Sequence, residues 1–128
     1  MDKKLLFITT FLISLFFTLN ITAQYSHNIN GGNFYFSPSS LTIDVGDTVY
    51  WINDGGFHNV NFHINTLSNP PVTFGNPTWF TSTPTSDDTI FMYVFTIPGN
   101  YQYDCSVGAH AANGMVGQLI VNASSLPS

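Results

Sequence analysis

The single cysteine of this chain is followed by residue types that bind soft metal ions. Cys105 precedes His110, and His110 precedes Met115, with four residues in each interval. The loop between them, "SVGAHAANG", consists mostly of small residues and turn formers. A further histidine, His58, opens the segment "HNVNFHI" far upstream of the cysteine. Together the four side chains offer one thiolate, two imidazoles and one thioether.

This donor set indicates copper in preference to other metal ions. Carboxylates are absent from it, which argues against calcium, magnesium and manganese. Zinc takes Cys and His readily, but its structural sites seldom include a methionine. Two histidines and a cysteine with a weak axial methionine are the ligands of a blue-copper electron-transfer site. A metal-bound Cys105 would also be a thiolate that the ion shields from oxidation.

Each of these residues has a simpler reading when it is taken alone. A lone cysteine is usually a buried structural thiol, and Met115 could simply fill the core. Their combined spacing favours a metal site, whereas His27 and His63 are predicted to be surface residues. No Gly-x-Ser-x-Gly elbow occurs, and the basic residues needed for phosphate chemistry are missing. We therefore predict that the protein is not an enzyme.

The elements that must position these side chains are predicted to be β-strands. Short runs of β-branched and aromatic residues alternate with turn clusters such as "NGGN", "SPSS", "NDGG" and "PGN". The runs are "FYFS", "LTIDV", "DTVYWIN", "HNVNFHI", "TIFMYVFTI", "YQYDC" and "GQLIVN". About seven short strands with this punctuation predict an all-β sandwich or barrel.

Strand periodicity predicts which side chains face the core. Tyr101, Tyr103 and Cys105 share one face of "YQYDC", and we expect that face to be buried. His58 shares a face with two apolar neighbours and is expected to point inward, with His63 outward. The turn "IPGN" predicts that "FMYVFT" and "YQYDC" are antiparallel neighbours. Residues 65–88 are rich in Pro, Thr, Ser and Asn and predict a surface excursion pinned by Trp79 and Phe80.

Two segments resemble the signatures of the cupredoxins, the plastocyanin and azurin family. The first is "GDTVYWINDGGFHNV", and the second, more specific one is "YQYDCSVGAHAANGMVGQLIVN". The resemblance covers most of residues 34–122 apart from the excursion. It implies a Greek-key β-sandwich of seven to eight strands with one type 1 copper ion near one end. The four-and-four spacing around His110 departs from plastocyanins, with two and four residues, and from azurins, with four and three.

The resemblance also implies a role for each matching residue. His58, Cys105 and His110 would be the equatorial copper ligands, and Met115 would be the axial ligand. Asn59 matches the family asparagine that hydrogen-bonds across to the cysteine loop, which makes Ser106 its expected partner. Such a contact around the ligands would rigidify the site and tune the sulfur.

The N-terminus predicts export, and the remaining composition limits the partners. Residues 1–23 combine two lysines, an apolar run and a small residue at the cleavage position, the order found in a secretory signal peptide. Residues 24–122 would then form the cupredoxin domain and residues 123–128 a C-terminal tail. Both cationic residues and one of the seven acidic residues lie in the predicted leader, so the rest has a formal charge of −6. Without a basic patch, neither nucleic acid nor an anionic membrane is expected as a partner.

These observations predict a secreted copper protein that transfers single electrons by cycling between Cu(II) and Cu(I). Redox proteins would be its partners, and the acidic surface suits a cationic one or simply keeps the domain soluble. We expect a monomer, with no membrane insertion after signal cleavage. Periplasm, cell surface and extracellular space all remain open as locations. Two alternatives also remain open: a copper-delivery protein, and a cupredoxin-like surface module for protein interaction.

Overall fold

The computed structural model describes residues 23–124, which form seven strands. The predicted signal peptide therefore lies outside the described residues except for its last position, and the tail does so beyond residue 124. The strands are β1 (Ser26–Gly32), β2 (Tyr35–Ser37), β3 (Ser40–Asp44), β4 (Thr48–Asn53), β5 (Thr89–Val94), β6 (Gly99–Asp104) and β7 (Val116–Asn122). Within residues 23–124, no helix is long and apolar enough to cross a membrane.

The seven strands form two sheets that enclose one core, which confirms the predicted all-β sandwich. One sheet has the order β2-β1-β4-β5, and the other has the order β3-β7-β6. The β1–β4 and β3–β7 pairs are parallel, while the remaining pairs are antiparallel. Strands that follow one another in the sequence are thus often in different sheets. Most pairs of hydrogen-bonded strands are therefore separated by a long stretch of chain.

Aromatic side chains fill the space between the sheets. Trp51 of β4 is fully buried, and its ring meets that of Tyr103 on β6 edge-on, with centroids 5.7 Å apart. Phe62 stacks on Tyr103 at 4.8 Å and contacts Phe80 at 4.5 Å. Burying each such ring stabilises the fold by about 1.5–3 kcal/mol, which suits a small domain whose only cysteine is free.

Strand β1, "SHNINGG", was not predicted, because Asn and Gly are poor strand formers. It is held between two partners: β4 pairs with it in parallel, and β2 pairs with it antiparallel. Only Ile29 is a fully buried apolar side chain in this strand. Main-chain hydrogen bonds from both neighbours, rather than side-chain pattern, therefore form β1.

A buried carboxylate fixes the start of the described chain. Asp47 is only 2% exposed and accepts hydrogen bonds from the backbone N–H of Tyr25 at 3.0 Å and of Asp44 at 3.1 Å. The ring of His27 lies 2.8 Å from the same carboxylate. Burial alone would raise the pKa of Asp47, but these hydrogen bonds and the nearby His27 leave it below its ordinary value. His27, predicted to be a surface residue, is thus partly buried against Asp47.

The prediction that "FMYVFT" and "YQYDC" form a hairpin is wrong. Strand β5 pairs with β4, whereas β6 pairs with β7 in the other sheet. The chain crosses between the sheets after Phe95, whose side chain is fully buried and whose backbone bonds to Gly46 and Asp47. The "IPGN" turn therefore connects two sheets and closes no hairpin.

The segment "HNVNFHI" is not a regular strand either. It pairs only through isolated bridges, and Asn59 and Asn61 are as buried as His58 because other segments cover both sides. Part of that cover is the 65–88 excursion, which is pinned by Phe80 as predicted. Trp79 instead stays 62% exposed and stacks on His63 at 3.9 Å.

Candidate metal centre

A compact loop returns His110 to the cysteine from which the loop begins. The backbone N–H of His110 bonds to the carbonyl of Val107 at 3.0 Å, and that of Met115 bonds to the carbonyl of His110 at 3.0 Å. The N–H of Cys105 then bonds to the carbonyl of Met115 at 3.1 Å, which closes the base of the loop. Small residues permit these tight turns, since Gly114 adopts a φ of +117°.

Three of the four predicted ligands converge at one end of the sandwich. The candidate ligand atoms of His58, Cys105 and His110 all lie within 4.8 Å of one another. The Nδ1 atoms of the two histidines are 3.2 Å apart, and the Cys105 Sγ lies 3.5 Å from His110 Nδ1. One tetrahedral ion held at about 2.0–2.3 Å from each donor would separate neighbouring donors by roughly 3.3–3.8 Å, close to these two distances. The spacing therefore fits a single metal ion.

The hydrogen bonds of His58 leave the correct nitrogen free for a metal. Its Nε2 lies 2.8 Å from the Gly55 carbonyl, which can only accept, so Nε2 carries the proton. The lone pair is then on Nδ1, the atom that lies 3.2 Å from His110 Nδ1. Gly56 makes this approach possible, because its φ is +103° and a Cβ there would lie 2.7 Å from His58 Nε2.

The electrostatics of the site disfavour charge in its metal-free form. Burial raises the pKa of the Cys105 thiol; backbone hydrogen bonds at Asn59 and Val107 partly offset this, while the charge of Asp104 adds to it. Burial and the neighbouring His58 lower the pKa of His110. A cation bound here would replace the thiol proton, so metal binding releases a proton.

Met115 lies in the core directly beneath the loop. It is fully buried, and its terminal methyl lies 3.4 Å from where a Cβ of Gly31 would stand. Its backbone bonds tie it to both His110 and Cys105. The backbone of Met115 is thus hydrogen-bonded to two of the other predicted ligands.

The predicted contact between Asn59 and Ser106 is present. Asn59 is 1% exposed and donates through Nδ2 to Ser106 Oγ at 2.8 Å, while its Oδ1 accepts from the Ser106 backbone N–H at 2.8 Å. A longer bond of 3.3 Å joins Nδ2 to the Ser82 carbonyl. Asn59, which follows His58, therefore fixes the position of Ser106, which follows Cys105.

The sequence predicted neither Phe34 nor the hydrogen bonds made by the carboxylate of Asp104, which come from Asn61 and Thr66. Phe34 has a left-handed φ of 68° and meets the His110 ring edge-on at 5.3 Å. It borders an open cleft of about 370 Å³ that is also lined by Phe57 and Val107. No spacing rule identifies Phe34. For Asp104, the available signal in the sequence was its position directly before the cysteine.

Comparisons with known proteins place the whole described domain in one family. Residues 23–122 match the family model described as copper binding proteins of the plastocyanin/azurin family. The chain is 34% identical over 95 residues to chloroplastic plastocyanin from Oryza sativa subsp. indica and 32% identical over 95 residues to that of Hordeum vulgare. Each alignment covers 73% of this chain, and the chain spans only 58% of the length of either relative.

A solved structure shares the fold. The Cu(I) form of an amicyanin mutant superposes with a TM-score of 0.58 at 24% identity, over 79% of this chain and 86% of that one. A likeness at this identity supports the two-sheet architecture and does not bear on function.

Proposed function

Because the chain belongs to the plastocyanin/azurin family of copper-binding proteins, we propose that it is a type 1 copper protein that transfers single electrons between redox partners. The observation that carries the proposal is the convergence of the His58, Cys105 and His110 donor atoms within 4.8 Å. The family is one of electron carriers, and the proposed activity is not enzymatic.

Copper is the cofactor that this family and donor set require, and when bound it would supply a one-electron couple between Cu(II) and Cu(I). His58, Cys105 and His110 would hold it equatorially, and Met115 would be the weak axial ligand. Imidazole nitrogen suits Cu(II), whereas sulfur suits Cu(I), so the mixed set serves both oxidation states.

The protein supports rapid electron transfer by fixing its donors before any ion binds. The Gly55 carbonyl orients the His58 ring, and the Asn59–Ser106 pair holds the residue after Cys105. Donors that are already in position rearrange little when the charge of the site changes.

His110 is the proposed route for electrons to and from a partner. Cys105, His58 and Met115 are at most 2% exposed, whereas His110 is partly exposed on the loop. The apolar side chains of Phe34 and Phe57 flank it at the cleft. A redox protein can therefore approach one ligand without opening the site.

We also propose that residues 1–23 direct export and are removed. The working domain would then be residues 24–122, followed by a short tail. Residues 24–128 contain no Lys or Arg, so a cationic redox protein is the preferred partner for a monomer of this charge. Mass spectrometry of protein from an export-competent host would test cleavage after residue 23, and a mature chain that retains the leader would contradict it.

The direct test is to add Cu(II) to the purified copper-free domain and record visible absorption and EPR. We expect an intense thiolate-to-copper band with narrow copper hyperfine splitting, both abolished in Cys105→Ser. A control variant, Ser68→Ala, changes a residue of the excursion and should keep the spectrum. A colourless wild-type protein, or colour that survives Cys105→Ser, would overturn the proposal.

A second measurement separates electron transfer from copper delivery. A carrier should give reversible voltammetry and fast electron self-exchange, with slow loss of Cu(I) to a chelating acceptor. Ready transfer of Cu(I) with poor electron exchange would instead identify a delivery protein. Copper that neither exchanges electrons nor leaves would favour the surface-module alternative.

A further inference from the structure

A carboxylate is buried next to the candidate copper thiolate. Asp104 ends β6, directly before Cys105, and is only 1% exposed. Its side chain lies on the opposite face of the strand from Tyr103 and Cys105. Segment 61–66, which runs into the long excursion, covers it there.

The partners of this carboxylate are all hydrogen-bond donors. Asn61 Nδ2 and Thr66 Oγ1 donate to Oδ1 at 2.8 Å and 3.0 Å, and the Thr66 backbone N–H donates to Oδ2 at 2.9 Å. The Asn61 amide and the Thr66 backbone N–H can only donate, and the Thr66 hydroxyl is placed as a third donor, so the arrangement suits a negatively charged carboxylate. Residues 23–124 contain no Lys or Arg, and the ion pair found among them joins His27 to Asp47, so hydrogen-bond dipoles balance the charge of Asp104.

We propose that Asp104 lowers the reduction potential of the copper centre and that Thr66 limits how far it does so. This inference rests on the proposed function. The oxidised site carries one more positive charge than the reduced site, so a nearby negative charge stabilises it preferentially. Because Asp104 is buried, solvent and salt screen this interaction much less than they would at the surface.

Thr66 acts in the opposite direction from the carboxylate that it contacts. Its hydroxyl and N–H place positive ends of dipoles on Asp104 and so neutralise part of its field. The couple exchanges one electron with the redox partner. Asp104 acts on the copper site through its charge, and Thr66 is a positioning residue that acts through Asp104.

The opposite signs make the proposal testable with a small set of variants. We expect Asp104→Asn to raise the reduction potential at fixed pH more than any other variant in the set. Thr66→Val removes one donor but keeps the charge, so it should lower the potential. Thr66→Ser keeps the hydroxyl and should retain the wild-type value. Thr66 is exposed, so these two variants should fold even if Asp104→Asn does not.

Asp44→Asn is the matched charge control. Asp44 is exposed and pairs with Asn122 at the far end of β7, whereas Asp104 pairs with Val116 at its start. Val116 and Asn122 are six residues apart on β7, so Asp104 and Asp44 lie about 20 Å apart along the direction of that strand. We expect little change in potential from Asp44→Asn, and added salt should remove even that. The Asp104→Asn shift should persist in high salt.

A copper-free readout tests the hydrogen bonds independently. Hydrogen exchange of the Thr66 amide should be faster in Asp104→Asn than in wild type and unchanged in Asp44→Asn. The inference is refuted if Thr66→Val and Asp104→Asn shift the potential in the same direction, or if Asp104→Asn matches Asp44→Asn. A wild-type protein that forms no blue site would instead refute the proposed function, and this inference with it.

Discussion

Replacing Asn59 by alanine tests how strongly the cysteine loop is held to the His58 segment. The change removes three hydrogen bonds, two of 2.8 Å to Ser106 and one of 3.3 Å to Ser82. Each bond contributes about 1 kcal/mol net. Asn59 is 1% exposed, so water cannot readily replace it, and we expect Asn59→Ala to lower the free energy of unfolding by about 2–3 kcal/mol.

Two further variants calibrate this value. Ser106→Ala removes only the bond to Oγ of an exposed residue, and the cost should be about 0.5–1 kcal/mol. Asn100→Ala changes an exposed asparagine on β6 and should stay within about 0.5 kcal/mol of wild type. Both controls keep the Asn59 contact with the Ser106 backbone.

The assay is urea unfolding of the copper-free domain, followed by tryptophan fluorescence. A lower midpoint with an unchanged m-value would report a change in stability alone. The reasoning fails if Asn59→Ala costs less than about 1 kcal/mol, or no more than Ser106→Ala. Either result would mean that the loop keeps its conformation without the asparagine.

Three other predictions concern the axial ligand, acid stability and the aromatic core. Met115→Leu should retain the blue colour while raising the reduction potential, because a weak donor to Cu(II) is lost. If titration with copper shows no binding to this variant, Met115 does more than an axial ligand should. The pKa of Asp47 is lower in the folded than in the unfolded chain, so its contribution to stability is present above about pH 4 and disappears as the pH falls through its folded pKa. Urea midpoints measured from pH 6 downward should therefore fall more steeply for wild type than for Asp47→Asn, and parallel curves would contradict this. Phe62→Ala should lower the free energy of unfolding in urea by about 3–5 kcal/mol, because the ring is fully buried. Trp79→Ala should lower it by less than about 1 kcal/mol, because Trp79 is 62% exposed. Similar losses in the two variants would contradict the assigned core.

The sequence failed where tertiary contacts override local pattern. Strand β1 has weak strand propensity and exists because β4 and β2 pair with its backbone on both sides. The "IPGN" turn looked like a hairpin because turn residues report a local reversal and carry no information about which sheet receives the next strand. Alternation in "HNVNFHI" suggested an exposed face, but packing covers Asn59 and Asn61 as well.

The sequence by itself determined the all-β class and the family, and it predicted the donor set, because ligand chemistry depends on residue type. The strand class follows from the short β-branched and aromatic runs between turn clusters. Only the tertiary structure could decide that His58 Nδ1 faces His110 at 3.2 Å, since the segments that carry them are distant in sequence. It also decided that Asp104 lies buried beneath Thr66 and Asn61. Long-range contacts of this kind arise from the packing of both sheets at once, which no local window of the sequence encodes.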